Sequence, residues 1–145
     1  VAHSMGGLVS RSFLVKNVIE DGNRYINRFV SISTPWQGHE FAGMGVKWSP
    51  AVVPSWRDMA TNSSFQRQIF SKELKGKVDH LLIYGHVPKG SRPLEKQTDG
   101  TVSVKSQLNP PAVSDAVKVT GYQADHVEIL SRAAVIEEVS QFLGR

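Results

Sequence analysis

Within its first seven residues, Val1-Ala2-His3-Ser4-Met5-Gly6-Gly7, the chain sets a serine between small residues two positions before it (Ala2) and two after it (Gly6). This small-x-Ser-x-Gly spacing predicts a sharp turn from strand to helix, because small side chains at those positions let the two elements approach closely. The turn leaves the serine hydroxyl pointing outward. The helix that follows begins with unpaired backbone N–H groups, which suit a developing negative charge. Ala2 stands where the usual pattern has glycine, a difference of one methyl.

The rest of the chain continues what that turn begins. Gly6 to Glu20 predicts a helix, with Val9, Phe13, Leu14 and Val18 at three- and four-residue steps and Leu8 and Ile19 widening the stripe. Arg11, Lys16, Asn17 and Glu20 fall mostly elsewhere on the wheel, and Asp21-Gly22-Asn23 ends the element. Three strands are expected: Arg28 to Ser33, stopped by Thr34-Pro35; Lys77 to Tyr84; and Ala116 to Tyr122, with Val117, Val119 and Gly121 alternating against Lys118 and Thr120. Ser63 or Ser64 is placed to cap a short helix carrying Phe65, Ile69 and Phe70. The segment Thr101 to Leu108 reads equally as helix or strand, and Asn109-Pro110-Pro111 reads as a loop. A last helix, Ser131 to Leu143, has Leu130, Ala134, Val135, Val139, Phe142 and Leu143 on its inner side. Wide separations between strands, with no tight hairpin, favour a parallel α/β sheet flanked by helices. Between Trp36 and about Ser64 the pattern dissolves into glycine, proline and aromatic residues, including Phe41, Trp48 and Trp56. A long irregular segment of this kind is often a functional loop. A cap or lid is therefore expected over about residues 36–72, with an ordinary buried loop as the competing reading.

Composition narrows the function classes. The 145 residues suit one domain, and 40% apolar residues suffice for a core. Seventeen Lys and Arg against thirteen Asp and Glu give a formal charge of +4, but the basic residues are scattered without interleaved aromatics, so a nucleic-acid partner is not expected. There is no cysteine, which removes disulfides and thiol catalysis. His39-Glu40 begins like a zinc motif, but Gly43 stands where the second histidine belongs, so neither a metal nor another cofactor is expected. No apolar run is long enough to span a bilayer. The sequence starts inside a motif and without Met, so the compartment is left open.

A serine nucleophile needs a base, and the base an orienting acid. His126, in Ala124-Asp125-His126-Val127-Glu128, follows the third strand, and Asp99, in Thr98-Asp99-Gly100-Thr101-Val102, lies in the loop after the second. In a parallel sheet both share the strand-end edge with Ser4. Asp-Gly alone also reads as a turn, and a histidine before a helix also reads as a cap. The three together, in the order Ser, Asp, His, are harder to obtain from independent causes. Of the remaining histidines, His3 is read as supporting structure, because neighbouring strand side chains point oppositely. His39, His80 and His86 are read as loop or strand-end residues. Asp125 is read as a turn or capping residue.

With these residues assembled, the chain resembles the C-terminal half of α/β-hydrolase lipases and esterases, especially the lipase-like and PGAP-type serine esterase group. Ala2 to Val9 looks like that group's nucleophile elbow, Ser33-Thr34-Pro35-Trp36-Gln37-Gly38 like its strand-six exit, Thr98 to Val102 like its acid loop, and Asp125-His126-Val127 like its histidine loop. The resemblance implies an α/β-hydrolase domain over residues 1–145, present as its C-terminal portion only, with the N-terminal half required for activity. It implies Ser4 as nucleophile, His126 as general base and acid, Asp99 as orienting acid, and the Met5 N–H as one oxyanion donor. The second donor would come from a loop outside this sequence. Ester hydrolysis through an acyl-enzyme is then the expected reaction, on a small-molecule or lipid ester, with Trp36, Phe41, Trp48 and Trp56 as substrate wall. Acyl transfer to another acceptor and amide cleavage use the same triad. An interaction module that keeps only the hydrolase ancestry is the alternative from another class.

Overall fold

Four strands form one parallel sheet in chain order: β1 (Ala2–His3), β2 (Arg28–Ile32), β3 (Asp79–His86) and β4 (Ala116–Gln123). The computed structural model describes residues 1–38, 64–88 and 94–144. One strand more than the sequence predicts is present, because the two residues before Ser4 pair with Ser31 and Ile32. Phe29 to Ile32 and His80 to Ile83 are buried throughout, because both faces of these strands are covered, and the two polar residues among them, Ser31 and His80, bond to each other.

The period of two divides the sheet between two cores. Phe29, Leu82 and Ala2 face one layer, with Leu8, Leu14, Val15, Val18, Trp36, Ile69 and Ala112. Val30, Ile32, Leu81 and Ile83 face the other, with Ala124, Ile129 and Val135. Helix α1 (Met5–Leu14) and a π-helical continuation (Val15–Glu20) cover the first layer, and Gly22 at φ 72° closes the element as the sequence implies. The stripe is rotated from the expected one. Leu8, Leu14, Val15 and Val18 are buried, whereas Val9 and Phe13 face outward. Arg11, expected on the outer side, lies on the buried stripe at 1% exposure, because it is three residues from Leu8 and four from Val15.

Helix α2 (Ser64–Ile69) forms where a serine cap is expected and buries Ile69. The segment from β3 to β4 contains a 3-10 turn (Leu94–Lys96), α3 (Val104–Gln107) and α4 (Pro110–Asp115). Helix α3 resolves the open choice for residues 101–108, with the Ser103 hydroxyl accepting from the Ser106 N–H as its cap. Asn109-Pro110-Pro111 starts a helix instead of forming a loop. Proline has no N–H to lose in the first turn and its φ is already helical.

After β4 come a 3-10 turn (Glu128–Ser131) and α5 (Ala133–Leu143). Ile129, not Leu130, fills the core there. The alternation of β4 is also the reverse of the expected one. Val117 and Val119 are exposed, while Lys118, Thr120 and Tyr122 face α5 through Glu138, at 2.7, 2.7 and 2.8 Å. No described helix is long and apolar enough to cross a membrane.

Candidate active site

Ser4 sits at the junction of β1 and α1 with φ 53° and ψ −132°, a conformation that L-residues rarely adopt. Two anchors hold it there: its N–H donates to the Ile32 carbonyl at 2.9 Å, and its own carbonyl accepts from the Gly7 N–H at 3.0 Å. Serine at a helix start usually caps the helix with its hydroxyl. Here the side chain makes no cap bond and is free for another partner. The tight position after the serine is Gly7 more than Gly6. A Cβ on Gly6 would meet Ala2 Cβ at an ordinary 3.8 Å, whereas one on Gly7 would overlap the Thr34 side chain. The Thr34-Pro35 turn therefore packs directly on the start of α1, a link between two motifs that sequence alone left separate.

The acid reaches the strand-end edge by folding back. Val87 and Thr98 form an antiparallel bridge, with the Val87 N–H donating to the Thr98 carbonyl at 2.9 Å. Asp99 Oδ1 then accepts from the N–H groups of Thr101 (2.9 Å) and Val102 (2.7 Å), a turn that Gly100 completes at φ 95°. Gly85, at the end of β3, leaves the needed room: a Cβ there would lie 3.2 Å from Asp99 Cβ. Gln107 is a component that sequence reasoning missed. Fully buried, it accepts from the Gly85 N–H (2.9 Å) and donates to the carbonyls of Gly85 (3.0 Å) and Val102 (3.1 Å), fastening the acid turn to the strand. The sequence carries no signal for it, because α3 reads Val-Lys-Ser-Gln and a glutamine there does not stand out.

Ser4, His126 and Asp99 come together. His126 Nδ1 is 2.7 Å from Asp99 Oδ2, and His126 Nε2 is 3.1 Å from Ser4 Oγ. A carboxylate only accepts, so Nδ1 carries the proton and Nε2 is left as acceptor for the serine hydroxyl. Asp99 has no exposed surface, while His126 keeps 13% of its side chain open. Burial pushes the Asp99 pKa up, but the bonds from His126, Val102 and Thr101 outweigh it and hold the carboxyl below its ordinary value. Met5 is the first residue of α1, so its N–H has no acceptor within the helix.

Other expectations divide. Asp125 does what a capping residue does, accepting from the N–H groups of Val127 (2.9 Å) and Glu128 (2.7 Å). His80 stands second in β3, near the strand's start. It has no exposure and is bonded to Ser31 Oγ at 2.7 Å and stacked on Phe29. Trp36 is no substrate wall. At 1% exposure it packs against Phe29, Phe70 and His80 in the first core, because the Thr34-Pro35 turn points it back under the sheet edge. Phe41, Trp48 and Trp56, like His39 and most of the expected cap, lie outside the described residues. A cavity of about 470 Å³ lined by Gln37, Leu94, Val104, Lys105, Leu108 and Pro110 opens among the segments that follow β2 and β3.

Residues 1–42, which carry the Ser4 turn, α1 and β2, match the family of lecithin:cholesterol acyltransferase. No curated protein matches the chain in sequence. Among solved structures it is similar to the product of gene lin2722 from Listeria innocua, at a TM-score of 0.62 and 18% identity over 99% of this chain and 56% of that one. It is similar also to the lipase BlEst2 of Bacillus licheniformis, at a TM-score of 0.58 and 19% identity over 97% of this chain and 62% of that one. The fold is of the α/β-hydrolase type, a parallel sheet flanked by helices, and the chain spans about 56–62% of the length of these two structures.

Proposed function

We propose that this chain carries the catalytic groups of a serine hydrolase that cleaves carboxylic esters through an acyl-enzyme. The observation that carries the reading is the unbroken line from Asp99 through His126 to Ser4, at 2.7 and 3.1 Å, ending on a serine held at φ 53°. Ser4 Oγ attacks the ester carbonyl while His126 Nε2 takes its proton. Asp99 stabilises the imidazolium that results. The Met5 N–H donates to the tetrahedral oxyanion. His126 returns the proton to the leaving alcohol, and a water activated by the same imidazole clears the acyl group.

A second reading, transfer of the acyl group to an alcohol in place of water, is favoured by the family match over residues 1–42. The triad serves both reactions. Adding a primary alcohol to the ester assay separates them, since a transferase yields the new ester as its main product.

The test of the common reading is covalent. In the protein at its natural length, a fluorophosphonate probe labels Ser4, identified by peptide mass, and Ser4→Ala abolishes both label and ester turnover while the melting temperature stays within a few degrees. Absence of labelling in folded protein would leave the interaction-module reading standing.

A further inference from the structure

His126 is held at all four of its polar atoms. Its ring nitrogens bind Asp99 Oδ2 and Ser4 Oγ, its backbone N–H donates to the Asp99 carbonyl at 2.8 Å, and its backbone carbonyl accepts from His3 Nε2 at 2.8 Å. Three of these bonds go to the other two members of the triad. The fourth goes to the residue beside the nucleophile. His3 and Ile32 are register partners in β1 and β2, and Ile32 faces the core layer that contains Ala124 and Ile129, on either side of His126. The two imidazoles lie 4.6 Å apart between centroids, tilted by 47°.

We infer that His3 is a positioning residue for His126: its Nε2–H, donated to the His126 carbonyl, ties the base directly to the strand that carries the nucleophile. The inference rests on the reading of Ser4, His126 and Asp99 given above. The loop that carries His126 leaves β4, which is separated from β1 by two strands. Without the His3 bond, the distance from Nε2 to Ser4 Oγ depends on the acid turn and on the Ser4 contact itself. With it, β1 sets the positions of both reacting partners. The ring contact adds a wall against rotation of the imidazole. A carbonyl oxygen only accepts, so the bond requires a proton on His3 Nε2. Burial holds the His3 pKa below its ordinary value, opposed by this same bond; the His126 charge lowers it further and Asp99 raises it. At neutral pH the donor is therefore an uncharged imidazole that adds no positive charge beside the imidazolium formed on His126.

The test uses two variants in the protein at its natural length. His3→Gln keeps an N–H donor at the position of Nε2, and His3→Leu keeps bulk without a donor. The readouts are the rate of Ser4 labelling by a fluorophosphonate, kcat and KM for p-nitrophenyl butyrate, and melting temperature. The Gln variant is expected within about threefold of the parent in kcat and labelling. The Leu variant is expected about tenfold lower in both, with KM unchanged, as for one lost hydrogen bond in the transition state. Should His3→Leu fail to fold, His3→Asn replaces it, being polar but one methylene too short to reach the carbonyl. Equal rates in the parent and the donor-less variant overturn the inference, as does a Gln variant as slow as the donor-less one. A folded parent that does not label at Ser4 overturns the serine-hydrolase reading itself, and this inference with it.

Discussion

Two serine–histidine pairs stand among the described residues, and the tighter one lies away from the proposed site. Ser31 Oγ and His80 Nε2 are 2.7 Å apart, against 3.1 Å for Ser4 and His126. What differs is everything around them. His80 Nδ1 has no hydrogen-bond partner among the described residues, the pair is buried, and burial together with the Arg11 charge presses the His80 pKa down to about 3. His126 Nδ1 is met by a buried carboxylate, its ring reaches the surface, and its serine stands on a left-handed turn. A short Ser–His contact is thus no sign of a nucleophile. A buried carboxylate on the ring, an open approach and a hydroxyl released from capping are what separate the proposed site from a packed polar pair.

The acid is the difference that breaks most cleanly. With Asp99→Asn, the partner of His126 Nδ1 can donate as well as accept, so the imidazole is free to turn its proton toward Ser4 and lose its basicity there. By the behaviour of serine triads generally, kcat for an ester should fall about 10⁴-fold while the fold persists. Steady-state kinetics with a melting curve on the same sample measure both. If turnover stays within tenfold of the parent, the acid is not what distinguishes the two pairs.

The buried region should answer to the opposite readout. Arg11, at 1% exposure, lies 2.5 Å from Asp115 Oδ2, donates to the carbonyls of Ile69 (2.8 Å) and Lys72 (3.2 Å), and covers the Phe70 ring at 4.3 Å. Asp115 Oδ1 in turn accepts from the N–H groups of Leu74 and Lys75. Arg11→Ala leaves a buried carboxylate without its cation and should destabilise the protein by about 3–5 kcal/mol, read from urea unfolding. Turnover per folded molecule should be unchanged. A loss of kcat at full folding would mean that the two regions are coupled through α1, whose first turn belongs to the site.

These regions also differ in how far the sequence discloses them. Ser4, Asp99 and His126 were legible because each is marked locally, by a small-x-Ser-x-Gly turn, an Asp-Gly turn and a strand-end histidine, and a parallel sheet then supplies the common edge. Arg11, Asp115, His80 and Gln107 were not, because what defines them is a partner from 22 to 104 residues away. Periodicity places a residue on a wheel but does not fix the phase of the stripe, so Val9 and Phe13 drew the inner face of α1 toward themselves and hid Arg11. Trp36 failed for a related reason. Composition shows an aromatic residue after a Thr-Pro turn without telling which way the turn aims it.

The smallest expected effect tests the claim that the buried pair is kept neutral. A histidine with its pKa lowered from 6.5 to about 3 on folding binds fewer protons folded than unfolded between those values. Its contribution to stability is therefore complete above pH 6.5 and is lost as pH falls toward 3, at up to about 1.4 kcal/mol per pH unit. Between pH 6.5 and 5.5 the loss should be about 1 kcal/mol for His80 alone. His3, also lowered, contributes with the same sign, so the comparison must be between variant and parent. His80→Gln keeps a partner for Ser31 and removes the titrating ring, and it should flatten the slope of unfolding free energy over that interval without touching kcat. An unchanged slope would mean that His80 meets solvent or another proton acceptor in the folded chain. The contrast between a dry pair and an open one would then rest on the acid alone.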